Sequence, residues 1–359
     1  MAQLRHSSIM LTILLSIALP SISASDCQPQ EVPCLETLSR PQYGLSEAEI
    51  ALYPEPNVQA LTINNNLLYD RAYQQIISND PLIIYDAPNG NATGTLDAGF
   101  DFLTTLRNQD GWTEINTDQW VHSEQLGPMG ASVSHFTGVL LPETPLPYPM
   151  AWLLVNLYPS TAPGEDPDSS LGLLPRYTRV NIYSSVEMDG YNWYQVGVDR
   201  WVHQFHVAKI EPIQRPETVD TDHWISIDLY EQIAIAYEGD TPVFATLVSS
   251  GLERWPTQEG LFHVYFRRTR KNMSGGTPGD DFYFLEEVPW TMFFDEGRAL
   301  HGAYWHDGFG YRRSHGCVNL SITDAHWLYQ WVAEEMDSLS SAEQETGPAV
   351  YVYSSGQYN

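Results

Sequence analysis

"HGAYWHDGFGYRRSHGCVNL", His301 to Leu320, places three histidines and the last of only three cysteines within twenty residues, laced with glycine. A thiol attacks acyl carbon as thiolate, and a free cysteine with a pKa of about 8.5 is mostly protonated at neutral pH. It therefore needs a base or a positive neighbour, and histidine supplies either. His301 and His315 are the candidates for Cys317. His315 and Cys317 are two apart, so on an extended segment they share a side, and Gly316 between them lets substrate approach the backbone. The amides of Gly316 and Cys317 are expected to face a developing oxyanion.

Zinc is the competing reading, because His301, His306, His315 and Cys317 are all competent ligands. No HExxH-type spacing accompanies them and no carboxylates stand in a recognisable ligand pattern, so no metal and no other cofactor is expected. A purely structural histidine cluster is disfavoured by the glycine density and the single cysteine.

The rest of the chain sets the context. At 359 residues it exceeds what one core usually supports, and 43% hydrophobic and 12% aromatic residues mark a folded protein. The net charge of −28, with Lys209 and Lys271 as the only lysines, argues against nucleic acid as a partner. The N-terminus carries Arg5 and His6, an apolar run from Ile9 to Leu19 and small residues up to Ser25. That order and length predict a secretory signal over 1–25, hence an exported, cell-envelope protein without a transmembrane helix after cleavage. In an oxidising compartment Cys27 and Cys34 could pair, which leaves Cys317 as the odd thiol.

Residues 26–66 read as a linker with a helical turn or two. Beyond it, "DGWTEINTDQWVH" (Asp110–His122) recurs loosely as "DGYNWYQVGVDRWVH" (Asp189–His203). In each, a turn leads into alternating aromatic and polar residues, the pattern of a hairpin with one buried face. "PLIIYDAP" and "RVNIYSSV" are read as equivalent strands ahead of the two copies, and the first copy carries the extra stretch "NGNATGTLDAGFDF". Two small β-barrels are expected, over 67–149 and 150–212, with Trp112, Trp120, Trp193 and Trp201 in their cores. The layout resembles bacterial Src-homology-3-like domains, which implies either binding of peptides or wall polymers, or a spacer role. From His223 the pattern is mostly β, until "SITDAHWLYQWVAEEM" predicts a capped helix with Ala325, Leu328, Trp331 and Val332 on one face.

The region 223–354 resembles the catalytic domain of the YkuD-type L,D-transpeptidases. The resemblance is carried by His301, then Ser314, His315, Gly316, Cys317, Val318 and Asn319, and by "WISIDLYEQIAIAYEGDTPVFATLVSSG", "PTQEGLFHV" and "VPWTMFF". Gln258 replaces the family's usual proline after Thr257, which reads as a loop variant with little bearing on chemistry.

The resemblance implies a β-sandwich with a short C-terminal helix, acting on peptidoglycan stem peptides. Cys317 would attack the carbonyl between stem residues three and four, release D-Ala and leave a thioester that an amine resolves into a 3-to-3 crosslink. His301 would be the base, with the Gly302 carbonyl fixing its tautomer and His315, Gly316 and Cys317 forming the oxyanion site. Tyr304, Trp305, Arg312, Arg313 and Asn319 are candidate substrate contacts or organisers. Water in place of the amine would give an L,D-carboxypeptidase, and another amine would attach a protein to the wall. A non-catalytic wall-binding adaptor is the rival of a different class.

Overall fold

The computed structural model describes residues 44–129, 133–336 and 347–357. The expected signal sequence and Cys27 and Cys34 lie outside these. The described chain is mostly β, and its longest helix is Ile322–Val332. Among the described residues no helix is long and apolar enough to cross a membrane.

Two seven-stranded sheets organise the C-terminal half. The first runs Gln59–Ala60, Val139–Leu140, Thr241–Leu247, Ile233–Glu238, His223–Asp228, Ala349–Tyr353 and Gly260–His263. Its outer strands Gln59–Ala60 and Val139–Leu140 come from segments read in sequence as linker and first repeat. The second runs Val318–Leu320, Arg298–Gly302, Tyr283–Asp295, Phe100–Thr104, Tyr73–Ile76 and Leu126–Pro128, with Phe266–Gly275 also paired to Tyr283–Asp295.

Strand His223–Asp228 shows why its neighbours read as nearly continuous apolar runs. Ile225 and Ile227 face a core shared with Met292, Leu300, Val318 and the helix residues Ala325, Leu328 and Val332. Trp224, on the opposite face, packs with Met150, Trp152 and Ile210 of the second repeat. A strand covered on both faces has no solvent side to alternate with. The helix starts where Ser321 accepts the Asp324 amide at 3.1 Å, an N-cap, and buries the four residues its pattern marked.

The two repeats share one succession of elements. In the first, Tyr73–Ile76, Leu82–Tyr85, Ala92–Leu96, Phe100–Thr104, the hairpin strands Arg107–Gln109 and Trp112–Asn116, and Gln119–His122 lead through a 3-10 turn into Leu126–Pro128. In the second, Met150–Leu153, the bridges Leu157↔Leu174 and Ser160↔Pro167, Arg179–Asn181, Ser184–Met188, Tyr191–Gly197 and Arg200–His203 lead through a matching turn into Val207–Ile210. Tyr85↔Trp120 in one copy corresponds to Ser160↔Trp201 in the other. This corrects the strand equivalence drawn from sequence. "PLIIYDAP" corresponds to the segment around Leu157–Ser160, whereas "RVNIYSSV" corresponds to Phe100–Thr104 and the strand after it. The shared tyrosines are a coincidence of composition. Trp112, Trp120 and Trp201 are buried, and Trp193 is half-buried.

Candidate active site

The strands Arg298–Gly302 and Val318–Leu320 run parallel, pairing Leu300 with Val318, His301 with Asn319 and Gly302 with Leu320. Side chains two apart on an extended strand share a face, so Cys317, Asn319 and His301 project to one side of the sheet. They line a cleft of about 390 Å³ together with His306, His315, Ser314, Trp305, Arg312 and Arg313. Phe100, Leu252, Met273, Tyr283 and Leu285 are the remaining lining residues, mostly apolar.

His301 is buried, and its Nδ1 lies 3.2 Å from the Gly302 carbonyl oxygen. A carbonyl only accepts, so Nδ1 carries the proton and Nε2 is left as the basic nitrogen. Burial pulls the imidazole pKa down to about 4, against a smaller upward effect of that hydrogen bond. The Cys317 thiol is pushed up from its ordinary value by burial, which outweighs a backbone hydrogen bond from Ala299 and the positive charge of Arg298. In the resting site the proton therefore sits on sulfur and His301 is neutral.

The loop carrying the cysteine is held from both ends. Ser314 Oγ donates to the Cys317 carbonyl and accepts the Gly316 amide at 3.0 Å. Thr257 Oγ1 donates to the Gly316 carbonyl at 2.9 Å and accepts the Gly251 amide at 2.9 Å. Gly316 has a φ of 112°, and a Cβ there would meet Arg298 Nε at 3.0 Å, so the position requires glycine.

Two sequence expectations change here. The Gly316 amide is occupied by Ser314 and does not face the cleft as a free donor. Thr257, named in sequence only as the residue before the Gln258 variant, is a clamp on the His-Gly-Cys turn.

Tyr304 is a third correction. It is fully buried, its ring stacks on Tyr73 at 3.6 Å and its hydroxyl donates to the Glu286 carbonyl at 2.8 Å. It belongs to the core beneath the site, because the chain turns its neighbour Trp305 toward the cleft instead. Trp305, Arg312, Arg313 and Asn319 do reach the cleft wall. His315 lies between Trp255, ring centroids 3.8 Å apart, and Tyr283, 4.8 Å apart, and its buried Nε2 has no partner. Burial also lowers its pKa.

His306 is a site residue that sequence reasoning placed only among possible metal ligands. Its Nδ1 accepts the Gly308 amide at 3.0 Å, which puts its proton on Nε2. That nitrogen contacts the Asn319 amide at 2.9 Å, with the nitrogen side of the amide placed toward it and Oδ1 left without a partner. Exchanging the amide's two ends gives Nε2–H an acceptor and resolves the conflict. Burial pulls the pKa of His306 to about 3. Both its nitrogens are engaged, so it positions Asn319 and is not free to bind metal. No group of metal-binding side chains occurs among the described residues.

The family described as the YkuD L,D-transpeptidase catalytic domain matches residues 222–352. YciB of Bacillus subtilis (strain 168), whose name places it among the L,D-transpeptidases, is 28% identical over 132 residues, covering 33% of this chain and 66% of that protein. The crystal structure of an Enterococcus faecium L,D-transpeptidase mutant is 24% identical, covers 37% of this chain and 50% of that one, and has a TM-score of 0.31. The L,D-transpeptidase of Mycobacterium smegmatis is 17% identical, covers 62% of this chain and 93% of that one, and has a TM-score of 0.33. The chain thus spans 66% of the curated relative and half of the Enterococcus structure. The matched segment contains the cysteine, both flanking strands and the histidine that shares their face: residues 222–352 are a YkuD L,D-transpeptidase catalytic domain.

Proposed function

We propose that this chain is an exported cysteine L,D-transpeptidase acting on peptidoglycan stem peptides. The observation that carries the proposal is the shared strand face, which puts Cys317 and a His301 with one free basic nitrogen on the same cleft wall. Cys317 Sγ attacks the carbonyl carbon of stem residue three while the thiol proton passes to His301 Nε2. The oxyanion is met by the Cys317 amide and by His315 Nε2, which has no other partner. His301 then returns the proton to the D-Ala nitrogen as the C–N bond breaks, leaving a thioester. An acceptor amine adds to the thioester and gives its proton to His301. Cys317 departs as thiolate and recovers that proton, completing the crosslink. The two small repeats are Src-homology-3-like domains on this reading, supported by their common strand succession. Export is supported by the apolar run Ile9–Leu19 ahead of small residues.

The test is turnover of disaccharide-tetrapeptide followed by mass spectrometry, with Cys317→Ala as control. A dimer lacking one D-Ala, made only by the unaltered chain, supports the proposal. Tripeptide alone shows that water is the acceptor. Equal product from Cys317→Ala rules out the cysteine mechanism. His301→Ala is expected to lower the rate by about 10²–10⁴-fold, the usual contribution of a positioned base.

A further inference from the structure

The stretch "NGNATGTLDAGFDF", read in sequence as an insertion, has counterparts in the second repeat and runs into strand Phe100–Thr104, which pairs in parallel with Tyr283–Asp295, matching Phe100 to Tyr283 and Phe102 to Leu285. The junction is built for close approach. Phe100 donates its amide to the Phe282 carbonyl at 3.0 Å, and the buried Asp101 Oδ1 accepts the Phe284 amide at 2.7 Å. A Cβ on Gly99 would lie 2.2 Å from the Phe282 oxygen, so only glycine fits. Phe102 is buried in a core with Leu285, Val288 and Tyr304, and its ring meets that of Phe100 edge-on at 5.0 Å. Phe100 itself is 46% exposed and stands on the wall of the cleft that holds Cys317.

We infer that the first repeat supplies a substrate-contacting wall of the catalytic cleft, with Phe100 as a specificity-determining residue that packs an aliphatic segment of the peptide substrate. The inference deepens the proposed function and rests on it for the identity of that peptide. Phe100 stands beside Tyr283 and Leu285, its neighbours across the strand pairing, and these three line the cleft without a carboxylate or cation, while Arg312 and Arg313 also line it. An uncharged methylene chain matches those three, and the side-chain arm of a diamino acid at stem position three is such a chain. An aromatic face half-open to solvent gains from covering it, and a missing apolar contact of this kind changes selectivity by about tenfold or more.

The test uses the full chain and its Phe100→Ala, Phe100→Leu and Phe100→Trp variants, each checked for an unchanged melting transition. Cys317 is alkylated with a small reagent, iodoacetamide, and a bulky one, N-phenylmaleimide, and the ratio of the two rates is measured. The rate of N-phenylmaleimide relative to iodoacetamide is expected to rise several-fold in Phe100→Ala and to fall in Phe100→Trp, and kcat/KM for the disaccharide-tetrapeptide is expected to drop about tenfold in Phe100→Ala, mainly through KM, with recovery in Phe100→Leu. A rate ratio unchanged in both Phe100→Ala and Phe100→Trp overturns the wall. A ratio that shifts while the unaltered chain leaves tetrapeptide untouched upholds the wall and rejects the stem-peptide reading alone.

Discussion

In the first repeat, strand Phe100–Thr104 pairs on one side with Tyr73–Ile76 and on the other with Tyr283–Asp295, a strand of the catalytic sheet. Its counterpart in the second repeat, Arg179–Asn181, pairs only with Met150–Leu153 and ends its three-stranded sheet. The second repeat instead presses Met150, Trp152 and Ile210 against the back of the other catalytic sheet, and Tyr177 donates to the carbonyl of Asp307, the residue after the cleft-lining His306, at 3.1 Å. The same succession of strands thus meets the catalytic region in two ways, once by strand pairing and once by packing with side-chain hydrogen bonds such as that from the Lys209 amide to Glu231. Only the first brings a side chain to the cleft that holds Cys317.

This difference can be broken by substitution. Phe102→Ala empties a buried site at the junction and is expected to cost about 3–5 kcal/mol in denaturant unfolding, with loss of selectivity at Cys317. Val180→Ala, in the counterpart strand, is expected to lower stability while leaving the alkylation ratio unchanged. A Val180→Ala variant with altered cleft selectivity would contradict the distinction. Gly99→Val forces a side chain into the Phe282 carbonyl and should cost about 1–3 kcal/mol. Gly94→Ala in the same repeat meets nothing within 4 Å and serves as the neutral comparison.

A smaller effect depends on pH. Burial raises the Asp101 carboxyl from 3.8 to about 6, against hydrogen bonds from Phe284 and Gly99. The folded chain therefore holds a proton that the unfolded chain loses near pH 3.8, so this group's contribution to stability falls as pH rises from about 4 to about 6 and is flat above. Melting temperature followed over that window should decline less in Asp101→Asn than in the unaltered chain. Parallel profiles would show that Asp101 is not the titrating group.

The cysteine supplies a further contrast. With its thiol pKa raised and His301 pulled to about 4, the iodoacetamide rate should climb about tenfold per pH unit through neutrality. A plateau between pH 5 and 8 would indicate a preformed thiolate–imidazolium pair instead. Tyr191→Ala and Phe205→Ala, on the exposed face of the second repeat, should change stability by no more than about 0.5 kcal/mol and leave that profile alone.

The motif from His301 to Asn319 was legible because its chemistry is local: a cysteine, a flexible glycine and histidines at strand spacing define a face before any tertiary contact is known. The helix Ile322–Val332 was legible for the same reason, through its cap and its apolar stripe. The junction at Phe100 was misread as an insertion because the tyrosines of "PLIIYDAP" and "RVNIYSSV" set the wrong strand equivalence, and strand pairing between residues 183 apart leaves no periodic trace in the sequence. Tyr304 was misplaced because the turn after Gly302 decides which of two adjacent aromatics faces the cleft. Thr257 was passed over because its partner, the Gly316 carbonyl, carries no side-chain signature. His306 was visible as a ligand type, but its role depends on Asn319 arriving from the next strand.

On the proposed function, Cys317, activated by His301, forms a thioester with a stem peptide. The most direct test of this step is intact-protein mass spectrometry of the full chain quenched in acid during turnover of disaccharide-tetrapeptide. An adduct equal to the donor less one D-Ala is expected, mapped to Cys317, absent from Cys317→Ala and accumulating when acceptor amine is withheld. Product formation with no adduct on Cys317 under any quench time, or an adduct mapped to another residue, would contradict it.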